Sequence, residues 1–241
     1  MVPASPSTAL DALMAVIRLI RHGQASFGLK NYDQLSDLGV EQSRALGASL
    51  RDRAADTDLV ICGAMQRHAQ TAEATLEGMG LDLTPRIDER WNEFDHEEVI
   101  VRHKPVYKSK TLMVADLARK GDPRHQFQLL FDDALARWTA GLHNDEYTEP
   151  WTEFVERARA GMTALADEPE AKNILVFTSG GPISAVASVL LGLGSDGWMR
   201  LNRTCANCSE TKIISGRSGT SLVTWNAHSY FDAQREMITY R

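Results

Sequence analysis

Apolar positions along the chain follow two periods. Ala15 to Ile20 (AVIRLI) is short, mostly apolar and β-branched, and stops at Arg21-His22-Gly23. That is the pattern of a buried strand running into a loop. Asp58 to Cys62 (DLVIC), broken by Gly63, and Asn173 to Thr178 (NILVFT) repeat it, and Leu83 to Ile87 is a shorter candidate. Helical patterns lie between. Ser36 can cap a helix from about Asp37 to Arg53, with Leu46 and Leu50 one turn apart. From about Met65, the residues Met65, Ala69, Ala72 and Leu76 recur at i, i+4, i+7 and i+11, which predicts an inward-facing stripe; Gly78 and Gly80 end it. Residues 97 to 142 are polar and mostly helical in pattern, interrupted at Lys120-Gly-Asp-Pro123. Thr152 to Ala166 reads as helix. So does Ile183 to Leu191, with Pro182 in its first turn and Gly192 at its end. Two late strands, Thr211 to Ser215 and Ser221 to Trp225, bracket a Gly-Arg-Ser-Gly turn.

Strands alternating with helices predict an α/β fold, a three-layer sandwich of a mostly parallel sheet with helices on both faces. No internal repeat or biased linker divides the chain. The pattern is therefore one domain over residues 15–241, with a helical insert at about 97–142 and a flexible leader over residues 1–14. Ligands of such sheets bind beyond the carboxyl ends of the strands. Polar clusters fall at those ends: Arg21-His22, Arg67, and Ser179-Gly180-Gly181.

Composition narrows the function. Of 241 residues, 43% are hydrophobic and 24% charged, with a net charge of −6. An acidic surface argues against a nucleic-acid partner, which would call for a basic face. No apolar run reaches the ~18 residues of a membrane span, and Met1 to Met14 carries no Lys or Arg. The expectation is a cytoplasmic protein without a membrane partner; a homodimer is left open. Cys62, Cys205 and Cys208 form no disulfide framework, and Cys205-Ala-Asn-Cys208 reads as a turn rather than half a metal site.

A phosphate calls for fixed cations and backbone N–H donors. Arg21 and Arg67 offer planar forks, and Arg67 sits in the first turn of its helix, where the dipole favours an anion. The Gly180-Gly181-Pro182 turn supplies a second helix start. A neutral His22 can attack phosphorus, and Glu93, in Trp91-Asn-Glu93-Phe-Asp95-His96, can move the protons. The bland alternatives are an Arg67 pair with Glu73 or Asp58 and a solvated acidic face around Glu93. For Arg102-His103-Lys104 with Lys108 and Lys110, a solvated helix face is favoured over a lid.

These residues carry a resemblance. Ile20-Arg21-His22-Gly23-Gln24 resembles the signature of the histidine phosphatase superfamily, the phosphoglycerate mutase-like family. Supporting marks occur in family order over roughly residues 15 to 226. Tyr32-Asp-Gln-Leu-Ser-Asp-Leu-Gly39 is similar to the family's "x-x-LT-x-x-G", and Cys62-Gly-Ala-Met-Gln-Arg67-His-Ala-Gln-Thr71-Ala to "S-x-x-x-R-A-x-x-T-A". Arg90-Trp-Asn-Glu93 is similar to "L-x-E", and Phe177-Thr-Ser-Gly-Gly-Pro-Ile183 to "V-S-H-G-G-x-I". The resemblance implies a phosphoglycerate mutase-like fold and a metal-independent phosphomonoester hydrolase with no cofactor. It would act through a phosphohistidine on a small phosphorylated substrate, or bind inorganic phosphate. His22 would accept the phosphoryl group and Glu93 would donate the proton. Arg21, His22, Arg67, Ser179, Gly180 and Gln24 would bind phosphate. One departure stands out: Ser179 occupies the position of the family's second histidine. Losing one preorganised donor typically costs about 10²–10³ in rate. The implied alternatives are a slow enzyme, a catalytically weak phospholigand-binding pseudophosphatase, or a phosphoglycerate mutase, with His96 or His68 as candidates to take over the missing role.

Overall fold

The computed structural model describes residues 14–26, 33–168 and 171–240. The leader assigned to residues 1–14 lies outside them except for Met14, and so does Tyr32 of the quoted motif. Strand β1 (Ala15–Arg21) leads to helix α1 (Asp37–Leu50), β2 (Leu59–Cys62), α2 (Gln66–Met79) and the short β3 (Arg86–Ile87). After the helices α3 (His96–His103), α4 (Lys110–Arg119), α5 (Pro123–Thr139) and α6 (Trp151–Ala166) come β4 (Asn173–Thr178), α7 (Gly180–Leu190), α8 (Ser195–Thr204), β5 (Glu210–Gly216) and β6 (Gly219–Ala227).

The sheet order is β3-β2-β4-β1-β5-β6. The first four strands in that order run parallel; β5 pairs antiparallel to β1 and β6 antiparallel to β5. The mostly parallel α/β sandwich is the fold expected. Because β4 inserts between β1 and β2, the three segments that follow these strands emerge side by side. Residues of β1, β2 and β4 alternate between two cores. Ile20, Val60, Cys62, Leu175 and Phe177 join Leu46 and Leu50 of α1 and Ala72, Leu76 and Met79 of α2 in one cluster. Ile17, Leu19, Ile61, Ile174 and Val176 are completely buried on the other face, as strands covered on both sides require. Helix α7, buried from Gly180 to Ser188, lies against β1.

Several boundaries differ from the sequence reading. Ser36 caps α1 through Gly39 N–H at 3.1 Å, but α1 stops at Leu50, not Arg53, and the chain turns to bury Ala54. Helix α7 starts at Gly180 because Gly180 and Gly181 precede Pro182 in its first turn. Helix α8 went unread because Trp198 is its one buried residue, and one anchor makes no period. The stripe on α2 is also corrected. Ala69 is exposed and Met65 only half-buried, while Arg67, His68, Thr71 and Thr75 are buried beside Ala72 and Leu76. The helices cross too closely for large side chains. A Cβ on Gly47 would lie 2.2 Å from Thr75 O, and one on Gly78 would lie 2.7 Å from Arg44 O. Thr75 Oγ donates to Ser43 O at 3.2 Å, so a hydroxyl is satisfied inside the contact. Gly47→Ala should therefore destabilise by about 1–3 kcal/mol through overpacking, read as a lower urea midpoint at unchanged slope; an unchanged midpoint would contradict the close crossing.

The chain divides into two compact units, Phe94–Arg157 and the remainder. Within Phe94–Arg157, Phe94, Trp138 and Phe154 form an aromatic core. Three cations of its first two helices and their connection face acids of the same unit. Arg102 pairs with Glu98 at 3.1 Å, Lys104 with Asp116 at 3.0 Å and Lys110 with Glu97 at 2.5 Å.

Candidate active site

The Arg21-His22-Gly23 turn is fixed through its backbone. His22 N–H donates to Thr178 O at 2.8 Å, which extends the β1–β4 ladder, and Asn207 Nδ2 donates to His22 O at 3.0 Å. Gly23 N–H donates to Thr71 Oγ at 3.0 Å, and that hydroxyl donates to Arg67 O at 2.7 Å. A Cβ on Gly23 would lie 2.4 Å from Gly39 O, so only glycine lets the turn pass this close to α1.

The His22 imidazole is nearly buried, with its Nδ1 2.7 Å from Gly23 O. A ring nitrogen facing a carbonyl carries the hydrogen, so Nε2 keeps the lone pair. Arg67 Nε donates to that Nε2 at 3.2 Å. Burial, then the charge of Arg67, then that of Arg21, hold the His22 pKa well below its ordinary 6.5. At neutral pH the ring is uncharged and its unprotonated nitrogen accepts from a guanidinium.

Arg67 projects from the first turn of α2. Its Nη1 pairs with Asp33 Oδ1 at 2.8 Å, and Asp33 Oδ2 accepts Gln66 N–H at 2.9 Å. One carboxylate thus faces both the arginine and the helix start, where an anion is favoured. Asp58 accepts instead from the backbone N–H groups of Lys172 and Asn173. Next to Arg67, His68 is completely buried. Its Nε2 lies 2.7 Å from Ser179 Oγ, and its ring centroid is 5.7 Å from that of His22. Burial and the Arg67 charge push the His68 pKa well below its usual value.

Ser179 follows β4 and stands at the N-cap of α7, yet its hydroxyl caps no α7 N–H. Glu93 Oε2 accepts Gly181 N–H at 3.1 Å instead. Trp198 of α8 donates to Gly181 O at 3.0 Å and braces the same turn. A Cβ on Gly180 would lie 2.8 Å from Asn202 Oδ1 and 3.6 Å from Arg21 Nε. Arg21 Nη1 donates to the carbonyls of Cys205 and Tyr240, the latter at 3.1 Å. The Gln24 side chain accepts from Ser36 Oγ at 2.9 Å.

The sequence profile of the histidine phosphatase superfamily (branch 1) matches residues 17–124 and 118–228. The chain belongs to this superfamily. An 88-residue stretch is 34% identical to a 2,3-bisphosphoglycerate-dependent phosphoglycerate mutase of Azorhizobium caulinodans, and one of the same length is 33% identical to the mutase of that name from Methylobacterium sp. (strain 4-46). Each match takes 34% of this chain and spans 43% and 42%, respectively, of the relative. Among solved structures, phosphoglycerate mutase from Bacillus anthracis superposes with a TM-score of 0.60 at 19% identity, over 93% of this chain and 98% of that one. Phosphoserine phosphatase from Entamoeba histolytica, in complex with phosphoserine, gives 0.64 at 16%, over 90% and 98%. A mycobacterial glucosyl-3-phosphoglycerate phosphatase gives 0.58 at 21%, over 89% and 100%. These structural likenesses establish the fold.

In this member of the superfamily, the expected residues make separate sets of contacts. His22 and Arg67 touch directly, and Ser179 joins them through His68. Glu93 accepts Gly181 N–H at the α7 start, next to Gly180, while Arg21 and Gln24 are held by carbonyl and hydroxyl partners. His96 begins α3 in the helical unit. The sequence reading missed Asp33, Thr71 and Asn207 as parts of the site. Thr71, four residues after Arg67 and thus one turn along the same helix face, carried the only readable signal. Among the described residues, no group of three or more His, Cys, Asp or Glu is placed to hold a metal, and no helix is long and apolar enough to cross a membrane. Cys205 and Cys208 are buried and free; burial raises the Cys208 thiol to about 12.

Proposed function

We propose that this histidine phosphatase is a phosphomonoester hydrolase working through a phosphohistidine at His22. The observation that carries the reading is the geometry at His22, whose Nδ1 lies against Gly23 O and whose Nε2 accepts from Arg67 Nε, a pairing that calls for the Nδ1–H tautomer with the lone pair on Nε2. Nε2 attacks phosphorus and the ester oxygen leaves. Glu93 gives that oxygen a proton, then takes one from the water that cleaves the phosphorus–nitrogen bond. Arg67 and the α2 N-terminus bind the phosphoryl oxygens, the ligand's negative charge taking over from Asp33. Arg21 Nε, buried beside Gly180, supplies a further donor. The scheme draws on side chains and backbone N–H groups and calls for neither metal nor cofactor. A small phosphorylated substrate in the cytoplasm suits it.

Purified protein should hydrolyse p-nitrophenyl phosphate, and acid-free quenching during turnover should trap one phosphoryl group on His22, located by mass spectrometry. Turnover without that adduct would overturn the nucleophile assignment. The curated relatives favour a second reading, phosphoryl transfer between phosphoglycerates. It predicts conversion of 3-phosphoglycerate to 2-phosphoglycerate faster than release of inorganic phosphate.

A further inference from the structure

We infer that His68, anchored by Ser179, is the second histidine of the phosphoryl site: a positioning residue that fixes the His22 imidazole from a backbone anchor on α2. This rests on the phosphoryl site proposed above. Four observations support it. The imidazole packs on His22 at 5.7 Å between centroids. Its Nε2 is held 2.7 Å from Ser179 Oγ, and that hydroxyl makes no cap bond to α7 although its backbone is extended at the N-cap position. On the far side, a Cβ on Gly63 would lie 2.3 Å from His68 Nδ1, so the ring is clamped between the end of β2 and the end of β4. Finally, His68 directly follows Arg67 and so moves with the cation that touches His22 Nε2.

Two polar groups, both completely buried, sit where an apolar pair would fill space without cost of desolvation. Against the family pattern quoted above, with Ala after the arginine and His after β4, this chain carries His68 and Ser179, a pair of similar summed bulk. Serine at 179 is then no lost donor but the room and the hydrogen-bond partner that His68 needs.

The arrangement predicts sign reversal between single and double substitutions. His68→Ala should lower kcat for p-nitrophenyl phosphate by about 10²-fold with little change in KM, the loss falling on an interaction made in the transition state. Ser179→His alone should also lower kcat, by about tenfold or more, because two imidazoles contend for one space. Combining both in one chain should restore at least about tenfold over His68→Ala. A purely structural role for His68 would move stability but give no such rescue. Parent-level kcat in His68→Ala, or a double variant no better than the poorer single one, overturns the inference. If those variants fail to fold, His68→Gln keeps a donor for Ser179 but not the ring on His22, and parent-level kcat in it is equally fatal. A parent inert toward p-nitrophenyl phosphate would instead overturn the hydrolase reading. In that case orthovanadate affinity is compared for the same proteins, and equal affinity in parent and His68→Ala rejects the role of His68.

Discussion

A His22→Ala protein is expected to lose hydrolysis of p-nitrophenyl phosphate by a factor on the order of 10⁴ or more while keeping its fold. The fold survives because the structural bonds at this position belong to the backbone: His22 N–H to Thr178 O, and His22 O from Asn207. Among the described residues, the side chain bonds Gly23 O and Arg67. Activity collapses because no neighbour can replace the nucleophile. The Nε2 of His68 is taken by Ser179, and Asp33 is an anion that a phosphate would displace. The buried Cys62 and Cys208 thiols are pushed to about 12 and stay protonated. The measurement is kcat/KM for parent and variant, with circular dichroism to show the fold. A residual rate within tenfold of the parent would mean that phosphoryl transfer does not pass through His22.

The strand-end logic was readable because it rests on period and punctuation. Continuous apolar runs marked β1, β2 and β4, and what followed each run had to emerge at one end of a parallel sheet. What could not be read is the order β2-β4-β1, which a strand inserted from a hundred residues downstream creates and no local pattern encodes. The same holds for side-chain partners. Arg67 finds Asp33 rather than Glu73 or Asp58, because 34 residues of separation close across the sheet end. His68 was readable as a neighbour of Arg67, but its contact with Ser179 spans 111 residues. The α2 stripe misled because hydropathy counts Thr71 and Thr75 as surface, whereas a hydroxyl bonded to a carbonyl or an N–H is at home inside a close helix contact.

Stability should fall steeply as pH drops below about 6.5. His22 and His68 are both held neutral in the folded protein, chiefly by burial and next by the Arg67 charge, with pKa values well under the 6.5 of an exposed imidazole. The guanidinium keeps its charge throughout, so the ordering persists. Above 6.5 both rings are neutral in either state and contribute no slope. Below it the unfolded chain takes up protons that the folded chain refuses, so folding weakens until the folded rings themselves protonate. Each proton is worth about 1.4 kcal/mol per pH unit, giving a limiting slope of about 2.7 kcal/mol per unit for the two. Glu146, held below its ordinary 4.5 by its hydrogen bonds to Arg137, acts in the same direction but at lower pH. Urea unfolding at intervals from pH 7.5 to 5 measures the effect. His68→Gln should remove about one proton from the slope, and saturating inorganic phosphate should flatten it further, because an anion beside the rings favours their charged forms. A parent whose stability stays level between pH 6.5 and 5 would show that these imidazoles are not buried neutral, and the nucleophile would then no longer be a ready lone pair beside Arg67.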